Sequence, residues 1–390
     1  MTYPKKIKIA VLETHGWGGI CHYAFNLCTA LVNLGKNVTL LTSEKNELQA
    51  IKSEFTMALI FNRSQSFFKQ WYVLLQYLIK TKTFILHMQN TISARRDIIF
   101  LALLKFFHIK IIYTAHDLMP HDREERDAKW MAFAFRCIYK LVDKIIVHSD
   151  NDILILRNEF NIEEKKIDKI EHGNYDFFPK ESAKKMNTLR KNFGIDKHDK
   201  VMLCFGSIRR YKGIDKLIDS YKHFRMEGKR CKILVVGKNL DVQYTHEIKE
   251  NIRRNKLEKD IIIHDKYVLF EDVRNYFMIS DIVVLPYEHI YDSGVLRIAF
   301  SCEKPLLSTK IGVFDEYIVE GKNGFLIDGS RDSLVKAFHK IIDTKKTDLK
   351  IMGKYSKQRF KYLLDWNEIA NKTINCYEQV LKSQHTDDKL

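Results

Sequence analysis

No stretch of the 390-residue chain approaches about 18 uncharged apolar residues, so no segment is expected to cross a membrane as a helix. A secretory leader is not expected either. The start, MTYPKKIKIAVLETHG, carries lysines, but its apolar run of about five residues reads as a first β-strand. Low-complexity text is missing, and 45% hydrophobic with 12% aromatic residues describes a chain that folds. There is no C-x-x-C. The seven cysteines (Cys21, Cys28, Cys137, Cys204, Cys231, Cys302, Cys376) are odd in number and scattered. Free, mostly buried thiols in a reducing cytoplasm are therefore expected, and a cysteine metal site is not. Acid is in short supply: 49 Asp and Glu face 65 Lys and Arg, a net charge of +16. That balance asks for an anionic partner, whether nucleic acid, nucleotide phosphates or an acidic membrane face.

The shortage is local. Residues 61–110 hold eight Lys or Arg and a single acid, Asp97, interleaved with the aromatic runs SFFKQWYVLLQYLIK and RRDIIFLALLKFFHIK. Basic, aromatic helices of this kind can lie in a membrane interface. They can equally be core helices with lysine-tipped rims, and both hold if one face packs while the other meets lipid.

At 390 residues the chain is too long for one ordinary core, so two domains are expected. KIKIAVLE, NVTLLTS, TFILHMQ, KIIYTAHD, DKIIVHS and DKIEHGN read as strands, separated by helical patterns such as GGICHYAFNLCTALVNLG, ARRDIIFLALLKFFH and DAKWMAFAFRCIYKLV. Residues 179–200 are charged and read as a connecting segment, after which the alternation restarts with VMLCFGS, KILVVGK, IIIHDKYV, DIVVLP, PLLST and NGFLID. Alternation of this kind means parallel sheets covered on both faces, and an α/β fold of two doubly wound domains. Expected boundaries are 1–180, 181–364 and an amphipathic C-terminal helix within 365–390. Ligands of open α/β sheets bind beyond the carboxyl ends of the strands, so chemistry is sought in those loops.

Four loops stand out. ETHGWGG places Gly16, Gly18 and Gly19 ahead of a helix, where the backbone can approach a ligand with its N–H groups free. It lacks the G-x-G-x-x-G spacing and an acid at the end of the next strand, and a tight structural turn is the competing reading. KIIYTAHD puts His116 and Asp117 at a strand end, either as cleft-facing groups or as a satisfied histidine and a helix cap. FGSIRRYKGID crowds Arg209, Arg210 and Lys212 between Gly206 and a helix start, where the helix dipole disfavours cations unless an anion joins them. YEHIYDSGVLRIAF sets Ser293, Gly294 and Val295 at the start of a helix that otherwise looks like ordinary core.

In order along the chain, the paired early glycines, TAHD, FGSIRRYKGID, DIVVLPY…SGVL…KPLL and VFDEYIVEGKNGFLID resemble the retaining glycosyltransferases of family 4. The resemblance implies the GT-B fold, with two Rossmann-like domains facing a cleft and a last helix that crosses back. It implies a nucleotide-sugar donor, UDP- or GDP-linked, whose diphosphate is clamped by Lys212 and Arg209. Gly206, Ser293, Gly294 and Val295 would line that diphosphate, and Gly18 and Gly19 would cap it. His116 would stand by the transferred sugar, with Asp117 orienting it. Configuration would be retained, without a metal or other cofactor. Many members carry two glutamates eight apart, the second binding the ribose; here those positions hold Ile290 and Ile298, with Glu288 two residues before the first, in an SGVL variant of the motif. Ser207 replaces the usual arginine, and Arg209 or Arg210 stands in.

The expected activity is transfer of a hexose-type sugar to a lipid-linked or cell-surface polysaccharide acceptor, or an oligosaccharide, by a cytoplasmic protein peripheral on an anionic inner membrane face. A catalytically inactive GT-B relative is one alternative. A basic nucleic-acid-binding protein is another, although no helix-turn-helix, zinc pattern or RNA-binding aromatic motif supports it and nucleic acid is not expected as a partner. A sugar-nucleotide epimerase would want a paired-acid site, and none is evident.

Overall fold

A computed structural model describes residues 7–62, 64–119 and 125–387. The chain divides into two compact units, Met1–Gly173 together with Tyr362–Leu390, and Asn174–Lys361.

The first unit is built on β1 (Lys8–Leu12), α1 (Gly18–Asn33), β2 (Asn37–Ser43), β3 (Thr56–Phe61), α2 (Phe67–Thr81), β4 (Ile85–Met88), α3 (Ala94–Phe106), β5 (Lys110–Thr114), α4 (Glu125–Leu141), β6 (Lys144–Val147), α5 (Asp150–Asn158) and β7 (Ile167–Lys169). Its seven strands lie in the order β3-β2-β1-β4-β5-β6-β7, all parallel. Ala10 pairs Thr39 on one side and Leu86 on the other. After their leading lysines, strands such as β1 and β6 are apolar and buried, because helices cover both faces.

The second unit comprises α6 (Ala183–Asn192), β8 (Val201–Phe205), α7 (Ile214–Met226), β9 (Lys232–Val236), α8 (Val242–Arg254), β10 (Ile261–His264), α9 (Val273–Met278), β11 (Ile282–Leu285), α10 (Gly294–Ser301), β12 (Leu306–Thr309), α11 (Val313–Tyr317), β13 (Gly324–Ile327), α12 (Arg331–Asp343) and α13 (Lys346–Phe360). Its sheet order is β10-β9-β8-β11-β12-β13, again parallel. Leu217, Phe224, Ile233, Val284, Phe338 and their neighbours form its core. The final helix, α14 (Trp366–Asp387), belongs to the first unit and packs on α1.

Each sheet reverses its strand order once, between β1 and β4 and between β8 and β11. At such a switch point neighbouring loops diverge and leave a crevice. The loops after β1, β8 and β11, which hold most of the expected site residues, stand there.

Residues 179–200 are not a bare connector, since they contain α6, capped by Ser182. The basic, aromatic segment is two-faced. Helix α2 buries Trp71, Leu74 and Leu78, and α3 buries Leu101 and Leu104. Their outer faces expose Phe68 (68%), Tyr72, Ile99 (73%) and Phe106 (76%) beside Lys69, Arg95, Arg96 and Lys105. Six cysteines are buried and Cys137 is half-buried, all as free thiols. Among the described residues no helix is long and apolar enough to cross a membrane.

Candidate active site

Strand β8 ends at Phe205, and the chain turns at Gly206 with φ +97°. That conformation favours glycine, and a side chain would have no room: a Cβ here would lie 2.7 Å from the Lys212 Nζ and 3.5 Å from the Val295 Cγ2. Those distances bring the Gly206 turn, Lys212 and the start of α10 into one place. A 3₁₀ turn, Arg210–Lys212, carries the lysine and ends at Gly213, whose φ of +62° and close approach to the Pro286 carbonyl exclude any other residue.

Lys212 is only 7% exposed. Its ammonium donates to the Phe205 carbonyl at 3.3 Å and lies 5.4 Å from the Tyr287 ring centre. Burial lowers its pKa from 10.5 to about 8, and the nearby Arg209 charge pushes the same way. The drop corresponds to a cost of about 3 kcal/mol for keeping the ligand-free lysine charged at neutral pH. An anion at Lys212 removes that cost. Arg210 is already committed, to Glu247 at 2.8 Å and to the Tyr244 ring face at 4.8 Å. Arg209 is therefore the arginine of this loop whose charge reaches Lys212.

Helix α10 begins where Ser293 caps it, the Ser293 Oγ accepting from the Leu296 amide at 3.3 Å. The Gly294 and Val295 amides precede the first intrahelical acceptors and carry the positive end of the dipole. The helix is not ordinary core, as its sequence suggested. Arg297 is fully buried, paired with Asp292, and donates to the Ser293 carbonyl at 3.1 Å with its guanidinium over the Tyr317 ring. A buried charge is tolerated only when paired, so this pair fixes the loop that aims α10. Glu288 is exposed and bound to Lys216 at 2.8 Å, while its backbone N–H donates to the Tyr211 carbonyl. Ile298 is buried and Ile290 half-buried.

In the first unit, the loop after β1 is held by acids that sequence reasoning missed. Glu13, fully buried, accepts from the His15 amide at 2.7 Å, the Gly16 amide at 2.8 Å and the Thr42 hydroxyl at 3.1 Å. Burial raises its carboxyl pKa, and these hydrogen bonds pull it back. Glu47 accepts from the Gly18 amide at 2.6 Å and contacts the His22 Nε2 at 2.8 Å. The expectation of free N–H groups therefore fails at Gly16 and Gly18, leaving Gly19 one step inside the helix. The expected absence of an acid at the end of the next strand fails too, because Glu44 directly follows β2.

His116 and Asp117 follow β5. Asp117 is exposed and lies eight residues before α4, so it does not cap that helix. His121 and Asp122, in the same loop, lie outside the described residues. The His116 ring is half-buried between two partners, Gln89 at 3.0 Å from Nε2 and His148 at 3.1 Å from Nδ1. The other nitrogen of His148 faces the Ile170 carbonyl at 2.8 Å and must donate to it. In neutral rings, His148 Nε2 then accepts from His116 Nδ1–H, and His116 Nε2 is left as an acceptor. The Gln89 amide nitrogen, which has no partner in the orientation described, satisfies it once the amide is flipped. Burial, reinforced by His148 and His172, holds the His116 pKa well below 6.5. Tyr23 packs edge-on against His116 and Trp366. His116 is thus a neutral ring in a fixed tautomer.

Known proteins share this organisation in both halves. The family described as Glycosyltransferase Family 4 matches residues 17–173, and the family described as Glycosyl transferases group 1 matches residues 185–359. The chain is a GT-B glycosyltransferase family 4-like protein. YtcC of Bacillus subtilis, named as a glycosyltransferase, is 26% identical over 202 residues, 50% of this chain and 48% of YtcC. The chain spans about half the length of the first curated relatives it matches. Among solved structures, Anabaena Alr3699/HepE in complex with UDP and glucose has a TM-score of 0.77 at 16% identity, covering 96% of this chain and 100% of that one. WaaG, a glycosyltransferase involved in lipopolysaccharide biosynthesis, has a TM-score of 0.69 at 14% identity, covering 94% and 98%. At these identities the likeness establishes the GT-B fold. In this GT-B protein the family matches meet between Gly173 and Lys185, close to the boundary of the two compact units at Asn174.

Proposed function

We propose that the protein is a retaining, metal-independent glycosyltransferase that moves a hexose-type sugar from a nucleotide-sugar, UDP- or GDP-linked, to a lipid-linked or cell-surface polysaccharide acceptor. The observation that carries this reading is Lys212, a buried ammonium with one carbonyl partner beside the Gly206 turn and the α10 amides. A diphosphate leaving group gains negative charge as the glycosidic bond breaks. Lys212, Arg209 and the amides of Gly294 and Val295, preorganised for that charge, stabilise the transition state without a metal. Gly206 lets the phosphates come close, and Ser293 fixes the helix start. Neutral His116, with Asp117, serves the transferred sugar; Gly18 and Gly19 serve the diphosphate once the Glu47 carboxylate yields. Glu288 exchanges its contact with Lys216 for the donor.

HepE binds UDP and glucose and WaaG belongs to lipopolysaccharide biosynthesis, which favours a UDP-sugar donor and a cell-surface acceptor here. The exposed aromatic and basic faces of α2 and α3 suit a protein that works against an anionic membrane surface from the cytoplasm. The test is a thermal-shift screen of UDP, GDP, ADP and CDP on wild type and Lys212→Ala, followed by NMR assignment of the product anomer. A ligand that binds only the folded state raises the melting temperature. A shift with one nucleotide, lost in Lys212→Ala, supports the reading. No shift with any nucleotide favours the catalytically inactive relative, for which Ile298 at the ribose-binding position speaks.

A further inference from the structure

The parallel sheet of the second unit has a second basic concavity at the opposite end from Lys212. A cavity of about 470 Å³ opens between α6, the residues entering β11, the turn entering β12, and α13. Five cations line it, Arg190, Lys197, Lys304, Lys346 and Lys350, against two carboxylates, Asp281 and Glu303. The carboxylates are engaged elsewhere as well. Asp281 accepts from the Val201 amide at 2.8 Å and pairs with Lys346, and Glu303 pairs with Lys357. Among the described residues no carboxylate pairs with Arg190, Lys197, Lys304 or Lys350.

The arrangement is anchored. Arg190 is held by the Ile279 carbonyl at 3.3 Å and the Asp196 carbonyl at 2.6 Å, and Lys304 donates to the Ser280 carbonyl at 2.8 Å. Carbonyls orient these cations without neutralising them. Burial lowers the Lys304 pKa, and the Lys350 charge adds to the effect. Like charges gathered around a concave wall repel one another until an anion enters. The lining has no aromatic side chain, so it offers no platform on which a nucleobase could stack. Its volume suits one small molecule and not a polymer.

We propose that this cavity binds a small, multiply charged phosphate without a base, of the inorganic pyrophosphate or phosphorylated-sugar class, at a site separate from the nucleotide-sugar. The test is calorimetric titration of inorganic pyrophosphate at low salt into Lys212→Ala, which silences the phosphate site at the other end of the sheet. One site is expected to remain, and adding Lys197→Glu and Lys350→Glu is expected to weaken it at least tenfold. Both added changes fall on exposed side chains, and an unchanged melting curve shows the fold intact. Lys304→Met gives an independent loss of the same site. No heat in Lys212→Ala, or an affinity indifferent to the charge reversals, overturns the proposal. Equal binding by wild type and Lys212→Ala, at one site abolished by the reversals, supports this cavity while refuting the phosphate role of Lys212.

Discussion

Binding of a nucleotide-sugar should draw a proton from solution through Lys212. The ligand-free ammonium has its pKa lowered by burial to about 8, so roughly half the molecules carry a neutral Lys212 at pH 8. A diphosphate against the ammonium favours the charged form and returns its pKa toward 10.5, so binding takes up about half a proton at pH 8. Uptake falls to about a tenth of a proton at pH 7 and rises to about nine-tenths at pH 9. Affinity for the donor then weakens about tenfold between pH 7 and pH 9, or about 1.4 kcal/mol. The intact nucleotide-sugar is the right probe, because its diphosphate does not itself titrate in this range. Calorimetry at pH 8 in two buffers of different ionisation enthalpy reads the proton count from the difference in heat. Lys212→Arg supplies the control: a guanidinium stays charged, so both the uptake and the loss of affinity should vanish. The same shift has a stability consequence. A lysine with a depressed folded pKa penalises the folded state below that pKa, and the penalty fades as pH rises from about 8 toward 10.5. Lys212→Met should therefore stabilise the ligand-free protein by up to about 3 kcal/mol at pH 7, with the gain shrinking above pH 8. Heats independent of buffer at pH 8, or proton uptake that survives in Lys212→Met, would refute the reasoning.

Three further outcomes are expected. Arg297→Met strands the buried Asp292 carboxylate and should cost about 3–5 kcal/mol in urea denaturation, with Asp292→Asn in the same chain recovering much of it; a cost equal in the single and double variants removes the pair from the account. His87, fully buried between the Tyr377 hydroxyl and the Thr114 hydroxyl at 2.7 Å each, has its pKa lowered by burial to about 3. Its contribution is present above 6.5 and lost as pH falls from there toward 3, about 2 kcal/mol by pH 5, so His87→Gln should flatten the acid limb of the stability curve. Liposomes rich in anionic lipid should bind the protein and release it as salt rises, and Ile99→Glu with Phe106→Glu should weaken that binding; capture insensitive to both salt and substitution contradicts the interfacial reading of α2 and α3.

Strands were the legible part of the fold, because buried parallel strands leave unbroken apolar runs such as VMLCF and IVVL whatever surrounds them. Helices α8, α12 and α13 were harder to read. They bury one narrow stripe each, Tyr244, Ile248 and Ile252 in α8, and the rest of their length is charged. α6 fully buries none of its ten residues, and its few apolar letters, Ala183, Met186 and Leu189, are outnumbered by polar and charged ones. Edge strand β3 is mostly half-buried and was missed for a related reason.

The site divides along the same line. Loop chemistry is local, so the residues of the Gly206 and Ser293 loops could be picked out by type and position. What holds those loops is not local. Glu13 acts within its own turn, but Glu47 reaches the Gly18 amide across 29 residues, and nothing in the spacing of KNEL marks it for that task. Arg297 was visible only as one basic letter in VLRIAF; the pairing with Asp292 explains how a charge can sit buried there. Lys212 shows the limit most clearly. Its text says that a cation stands before a helix, which is a statement about the dipole. Its burial under Tyr287 and beside the Gly206 turn makes it a lysine near its titration point, and that follows from the loops after β8 and β11 meeting at one switch point. The chemistry expected of the loop therefore depends less on the identity of its residues than on the packing that strips water from one of them.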